Sequence, residues 1–165
     1  MSATPSSIKA MLPWFALALI VFAIDFFTKS IVLSNFYYGE RLAITSFFNL
    51  VLVYNYGAAF SFLATSGGWQ VLLFSAIAVV AVGVCSYLIY KHTHETLFCL
   101  ALALIMGGAI GNLFDRIIYG YVIDFLDFHY QHWHWPAFNV ADMAIVGGAG
   151  LMILESFMKP AHDKE

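Results

Sequence analysis

Two stretches of this sequence, 69–90 (WQVLLFSAIAVVAVGVCSYLIY) and 96–114 (TLFCLALALIMGGAIGNLF), contain no charged residue. A bilayer-crossing helix needs about 20 mostly apolar residues. Each stretch therefore reads as a membrane span, and composition extends that reading to the whole chain. Of 165 residues, 62% are hydrophobic and 10% charged, with a mean hydropathy of +0.82. Soluble domains carry about 45–50% apolar and about 25% charged residues. The excess apolar surface cannot be hidden in one globular core, which excludes a water-soluble enzyme. An aromatic content of 18% and only 4 prolines exclude disorder and collagen-like structure. The formal charge of −3 is small and scattered, so no basic face for nucleic acid is available. Cys85 and Cys99 both lie inside apolar runs, and no disulfide framework is implied.

Two further spans complete the count. Residues 11–33 are apolar up to Ile24 and then meet Asp25 and Lys29. Residues 138–158 are apolar except for Asp142 near the start and Glu155 near the end. The first span lacks a small-residue cleavage pattern, and its helical pattern continues to Leu33, which fits an uncleaved signal-anchor. Four spans place both termini on one side. That side holds Lys9, Lys91, Lys159 and Lys164, against Arg41, Lys29 and Arg116 on the other. The excess predicts cytoplasmic termini.

The connections differ in kind. KHTHE (91–95) is a short inward turn, whereas 34–68 contains FFNLVLVYNYGAAFSFL, too short to cross as a helix. Its aromatic and β-branched content predicts strands at the membrane surface over about 35–65. Residues 115–137 carry Tyr130, Trp133 and Trp135, which with Phe138 are the residues found at a bilayer interface. With no repeat, linker or low-complexity tract, the chain reads as a single domain over 1–165.

Charged side chains at membrane depth cost about 2.5–3.5 kcal/mol each on insertion scales, and here they gather towards one face. Asp25 and Lys29 are spaced i,i+4 with the acid first, the favourable order for a helical ion pair. They read either as a structural anchor or as part of a site. Gly107 and Gly111 form a GxxxG pattern that admits a close helix. Asn112 shares a helical face with Asp115 and Arg116. For Asp115 a polar helix end at the interface suffices, with Arg116 snorkelling to headgroups. Asn112 lies a turn deeper and must find partners.

Asp142, in FNVAD, lies about one turn into the fourth span, and Asn139 with Asp142 resembles a capping box. If 115–137 folds back over the outer face, an aspartate of VIDFLDF reaches Asp142. Two facing carboxylates hold one proton between them, and the pair then serves as base towards water and acid towards a carbonyl. Spacing alone does not separate Asp124 from Asp127 as the partner. No GxSxG or HExxH motif is present. His129, His132 and His134 lack a cysteine that completes a familiar metal pattern, so no metal site is expected. A proton-coupled carrier using Asp124, Asp142 and Lys29 is disfavoured by the missing repeats and by the uncharged inner halves of the middle spans. A purely structural subunit leaves the asparagines unexplained.

Asp25 with Lys29, NYGAAF with Asn55, GGAIGNLFDR with Gly108, Asn112 and Arg116, VIDFLDF, and FNVAD stand in this order over roughly 11–158. Together they resemble the lipoprotein signal peptidases (signal peptidase II), bacterial membrane aspartic proteases. The resemblance implies an α-helical integral membrane protein of four transmembrane helices, a small extracytoplasmic β-cradle and a short surface helix. It implies a catalytic dyad of Asp124 and Asp142. Asn55, Gly108, Asn112, Arg116 and Asn139 match positions that line or support the site, and Asp25 and Lys29 match polar positions at its edge. The implied reaction removes a prolipoprotein's signal peptide before a diacylglyceryl-modified cysteine, without metal or organic cofactor. The implied partners are lipidated prolipoproteins and membrane lipid, with no nucleic acid, for a monomer in the inner membrane whose site lies near the periplasmic face.

Overall fold

The computed structural model describes residues 8–57 and 68–158. Lys159 and Lys164 lie outside them, as do residues 58–65 of the strand-rich segment and the end of the NYGAAF block. The expected short surface helix is not among the described residues. Four long helices are: α1 (Ile8–Asn35), α2 (Trp69–Lys91), α3 (Thr96–Tyr119) and α4 (Val140–Met158). All four are long and apolar enough to cross a membrane. Their flanks carry large exposed apolar side chains such as Leu72, Val80 and Val146.

The central helix is α3, packed against the other three. Lipid tails are as apolar as leucine, so close van der Waals approach rather than water exclusion holds such helices together. Glycines on two faces of α3 provide it. A Cβ at Gly107 would lie 2.6 Å from the Ala18 carbonyl oxygen of α1, and one at Gly111 2.5 Å from Asp25 Oδ2. The GxxxG face thus meets α1. Gly108 faces α4, where a Cβ would collide with the Ala141 carbonyl oxygen. Near the turn between α2 and α3, Ala18, Cys85, Ile89, Cys99, Leu102 and Met106 form a core. Both cysteines are free and buried there.

The four helices overlap the expected spans: α1 extends past 11–33 at both ends, α4 starts at Val140, and α3 runs beyond residue 114 to Tyr119. Asp115 and Arg116 continue the helix because their charges find partners inside the protein, and Gly120 ends it with a φ of 77°. Such left-handed backbone suits glycine.

A small antiparallel sheet closes one end of the bundle, in the order β1 (Arg41–Ala43), β2 (Phe48–Asn55), β3 (Val122–Tyr130), β4 (Trp133–His134). Strands β1 and β2 fall in the segment read as strand-forming. Strands β3 and β4 come from 115–137, for which no strand was predicted. Val122 to Phe125 are all buried, so the alternation that marks a half-exposed strand is missing. Ile123 and Phe125 pack with Val32 of α1 and Leu52 of β2, fastening the sheet to the bundle. The segment before α4 is zipped to β3: the Phe125 and Leu126 amides donate to the Phe138 carbonyl at 3.1 and 2.9 Å. This stitch delivers Asn139 and the start of α4 to the middle of β3.

Candidate active site

Side chains alternate across a strand, so Asp124 and Asp127, three residues apart, face opposite ways. Val122, Asp124, Leu126 and Phe128 border a cavity of about 1110 Å³, and Asp142 lies on the same cavity. Asp127 points to the far side of the sheet. There it accepts from Asn49 Nδ2 at 2.8 Å and pairs with His134 Nδ1 at 2.8 Å and Arg41 Nε at 3.4 Å. The structure therefore brings Asp124, not Asp127, to Asp142.

Asn139 joins the two carboxylates. Its side-chain Nδ2 donates to Asp124 Oδ1 at 2.7 Å and also lies 3.2 Å from the Ile123 carbonyl oxygen and from Asn112 Oδ1. Its backbone N–H donates to Asp142 Oδ2 at 3.2 Å, and the Asp142 N–H returns a bond to Asn139 Oδ1 at 2.9 Å. That reciprocal pair is the capping box read from the sequence. One residue is thus both the N-cap of α4 and the bridge between the aspartates. The N-terminus of α4 also favours nearby negative charge through its dipole.

A second bridge comes from α3. Asn112 Nδ2 donates to Asp142 Oδ1 at 2.8 Å, while Asn112 Oδ1 accepts from Lys29 Nζ at 3.0 Å. Lys29 also pairs with Asp25 at 2.7 Å and Asp115 at 2.8 Å, all three side chains being buried. Asp25 Oδ1 accepts the Ala141 N–H at 2.8 Å, and Asp115 accepts the Ile123 N–H at 3.1 Å. One buried ammonium thereby ties α1 to α3, to the first turn of α4 and to β3. Removing one partner of such a network leaves an uncompensated buried charge, at a cost of about 3–5 kcal/mol.

On the sheet side, Asn55 Nδ2 donates to Asp124 Oδ2 at 3.0 Å and its Oδ1 accepts from the Gly57 N–H at 3.0 Å. Arg116 reaches the Gly57 carbonyl at 3.4 Å and the Asn112 carbonyl at 3.2 Å, with its guanidinium 5.4 Å from the Phe74 ring centre. The arginine is turned into the protein and borders the cavity, rather than snorkelling outwards. Burial, and then the charge of Asp142, push the Asp124 carboxyl up to about 7, against the bonds from Asn55 and Asn139. Near neutral pH this aspartate holds a proton that an exposed carboxyl would have lost.

Asp25, Lys29, Asn55, Asn112, Arg116 and Asn139 all lie in this one network, and Gly108 supports it by admitting the Ala141 turn of α4. Sequence reasoning left Asp115 at an interfacial helix end, yet it is 3% exposed and binds both Lys29 and β3. The signal lay in the buried cation: Lys29 at membrane depth needs more countercharge than Asp25 alone supplies. His134 serves Asp127, and His129 stacks on His134 with ring centres 5.0 Å apart.

Four membrane-long helices closed by a small sheet, with two linked carboxylates on one cavity beneath it, define the class of membrane-embedded aspartic peptidases. Residues 17–158 match the family described as signal peptidase (SPase) II. The chain belongs to the signal peptidase II family. It is 55% identical to a lipoprotein signal peptidase of Burkholderia mallei over 154 residues, 93% of each chain. It is 54% identical to one of Paraburkholderia phytofirmans over 156 residues, 94% of this chain and 91% of that one. A bacterial membrane enzyme solved by the in meso method at 2.3 Å superposes with a TM-score of 0.83 at 26% identity, covering 99% of this chain and 98% of that one.

Proposed function

We propose that this protein removes the signal peptide of prolipoproteins, cutting before a diacylglyceryl-modified cysteine, with Asp124 and Asp142 as the catalytic pair. The observation that carries the assignment is Asn139, which donates to both carboxylates where they meet the cavity. Asp142 receives two N–H donors at a helix N-terminus and serves as the base. Asp124, raised by burial and by Asp142, holds the proton. Asp142 takes a proton from water as its oxygen attacks the scissile carbonyl, while Asp124 gives its proton to the carbonyl oxygen. Collapse of the tetrahedral intermediate breaks the C–N bond. A proton from the pair reaches the leaving amine, which becomes the cysteine's new amino terminus. The signal peptide leaves as a carboxylate.

The cavity suits such a substrate. Extended backbone inside a bilayer needs hydrogen-bond partners, and Asn55, Asn112 and Arg116 border the space in which it would lie. Purified protein incubated with a lipidated prolipoprotein is expected to release the mature form; intact substrate after prolonged incubation overturns the proposal. Asn112→Ala and Arg116→Ala are expected to lower turnover per folded molecule by roughly 10- to 100-fold, since a hydrogen bond to a charged group is worth about 1.5–3 kcal/mol. Unchanged specific activity in folded variants would reduce both to helix anchors.

The proposed location is the bacterial inner membrane, with cytoplasmic termini and the sheet at the periplasmic face. Single cysteines at Tyr37, on the sheet side, and at His94 test this orientation, because the native Cys85 and Cys99 are buried. An impermeant thiol reagent added to spheroplasts should label position 37 and spare 94. The opposite pattern would invert the topology.

A further inference from the structure

The far side of the sheet holds a second polar cluster that the reaction does not use. Asp127 of β3 is its hub: Arg41 of β1, Asn49 of β2 and His134 of β4 all reach its carboxylate. Every strand of the sheet therefore meets at one side chain. We propose that Asp127 is a positioning residue, whose bond with Asn49 fixes the register of β3 on β2 and so aims Asp124 at the cavity.

The register makes this specific. Asn49 stands directly opposite Asp127, and Val53 directly opposite Asp124, but the pairing shifts between Leu50 and Val53. An extra β2 residue lies between the two aspartate positions, and such a bulge bends a strand and re-aims its side chains. The register beyond a bulge depends on which residue is left unpaired. A one-residue slip moves each side chain to the other face, and would carry Asp124 to the side where Ile123 packs. Asn49 to Asp127 pins one side of the bulge, and Asn55 to Asp124 pins the other. The Asn49 and Asp127 side of the pin is dry, at 4% and 3% exposure. The Arg41 side chain is 51% exposed, and such a pair contributes little. Burial alone would raise the Asp127 carboxyl; the bonds from Asn49 and His134 and the charge of Arg41 outweigh it and hold it low. His129, stacked on His134, is a further titratable group beside the cluster.

The inference rests on Asp124 being half of the catalytic pair, so the Asp124→Asn variant is measured alongside. Full-length protein is assayed for kcat and KM on a lipidated prolipoprotein, with thermal unfolding in the same detergent. Asp127→Ala and Asn49→Ala are each expected to lower kcat by roughly 10- to 100-fold, the scale of a misplacement of about 1 Å, with KM changed less than about twofold. The double variant should be no worse than either single one, because residues acting through one contact are not additive. Asp127→Asn, which keeps an acceptor for Asn49, should restore kcat to near wild type, and Arg41→Ala should leave it there. Wild-type kcat in folded Asp127→Ala, or multiplying losses in the double variant, would overturn the role of Asp127. If Asp127→Ala does not fold, Asn49→Ala against Asp127→Asn decides by the same split. An active Asp124→Asn would instead overturn the catalytic assignment itself.

Discussion

Asp124→Asn and Asp142→Asn are each expected to bring cleavage of a lipidated prolipoprotein to background while leaving an inserted, folded protein. Asparagine keeps the size and one acceptor, so the Asn139 bridge retains part of its bonding. What it cannot do is exchange a proton with water or with the leaving amine. General acid–base participation is worth about 10²–10⁴-fold, and here both roles fall on one pair. Asp127→Asn is the control, because its carboxylate lies behind the sheet and should leave clear activity. An inactive Asp127→Asn beside a normal Asp124→Asn would reverse the assignment. The pH dependence gives an independent check. With the Asp124 carboxyl raised to about 7, the pair holds its working proton below that pH and loses it above, so cleavage should fall on the alkaline side. Stability follows the same sign. A carboxyl raised on folding favours the folded state fully below its unfolded pKa of about 3.9, and that contribution is lost as pH rises through about 7. Thermal melts of the wild type should therefore decline over that window, and those of Asp124→Asn should not.

Asn139→Ala has the second-largest expected effect, and it acts on two properties at once. Loss of a helix N-cap costs about 0.5–2 kcal/mol. Loss of the side-chain bonds to Asp124 and Asn112 also leaves buried acceptors underpaired, at about 1–3 kcal/mol for each group left unsatisfied. The alanine variant should melt markedly lower and cleave at least tenfold more slowly per folded molecule, since about 1.4 kcal/mol is already tenfold in rate. Asn139→Ser separates the effects. Serine caps a helix well, but its hydroxyl is too short to span to the Asp124 carboxylate. It should recover the capping share of the melting temperature and little of the activity. Full recovery of both would mean that capping alone matters and the bridge does not.

The helical part of this architecture was legible because uncharged runs of membrane length admit few alternatives. The site was legible for a related reason: Asp142, Asn112 and Lys29 are costly at their depth unless something there needs them. Strand β3 was not legible, since burial on both faces erased its alternation, and without a strand there was no reason to place Asp124 and Asp127 on opposite sides. Asp115 was passed over because a charge at a helix end has an ordinary explanation in lipid headgroups. Only the path of β3, whose Ile123 amide reaches back to it, and the position of Lys29 show that it faces inwards.

The cavity under the sheet runs down α4 past Met143 and Val146, whose side chains are 55% and 71% exposed on a helix that crosses the bilayer. Part of the cavity's lining therefore lies in the apolar wall of the protein, on the side from which a bilayer-borne occupant can arrive. For such an occupant the relevant concentration is molecules per unit of membrane area, not per volume of water. Diluting the bilayer with inert lipid or extra detergent should slow turnover at constant bulk substrate. Competitors should likewise rank by how strongly they partition into the bilayer as much as by how well they fit between the aspartates.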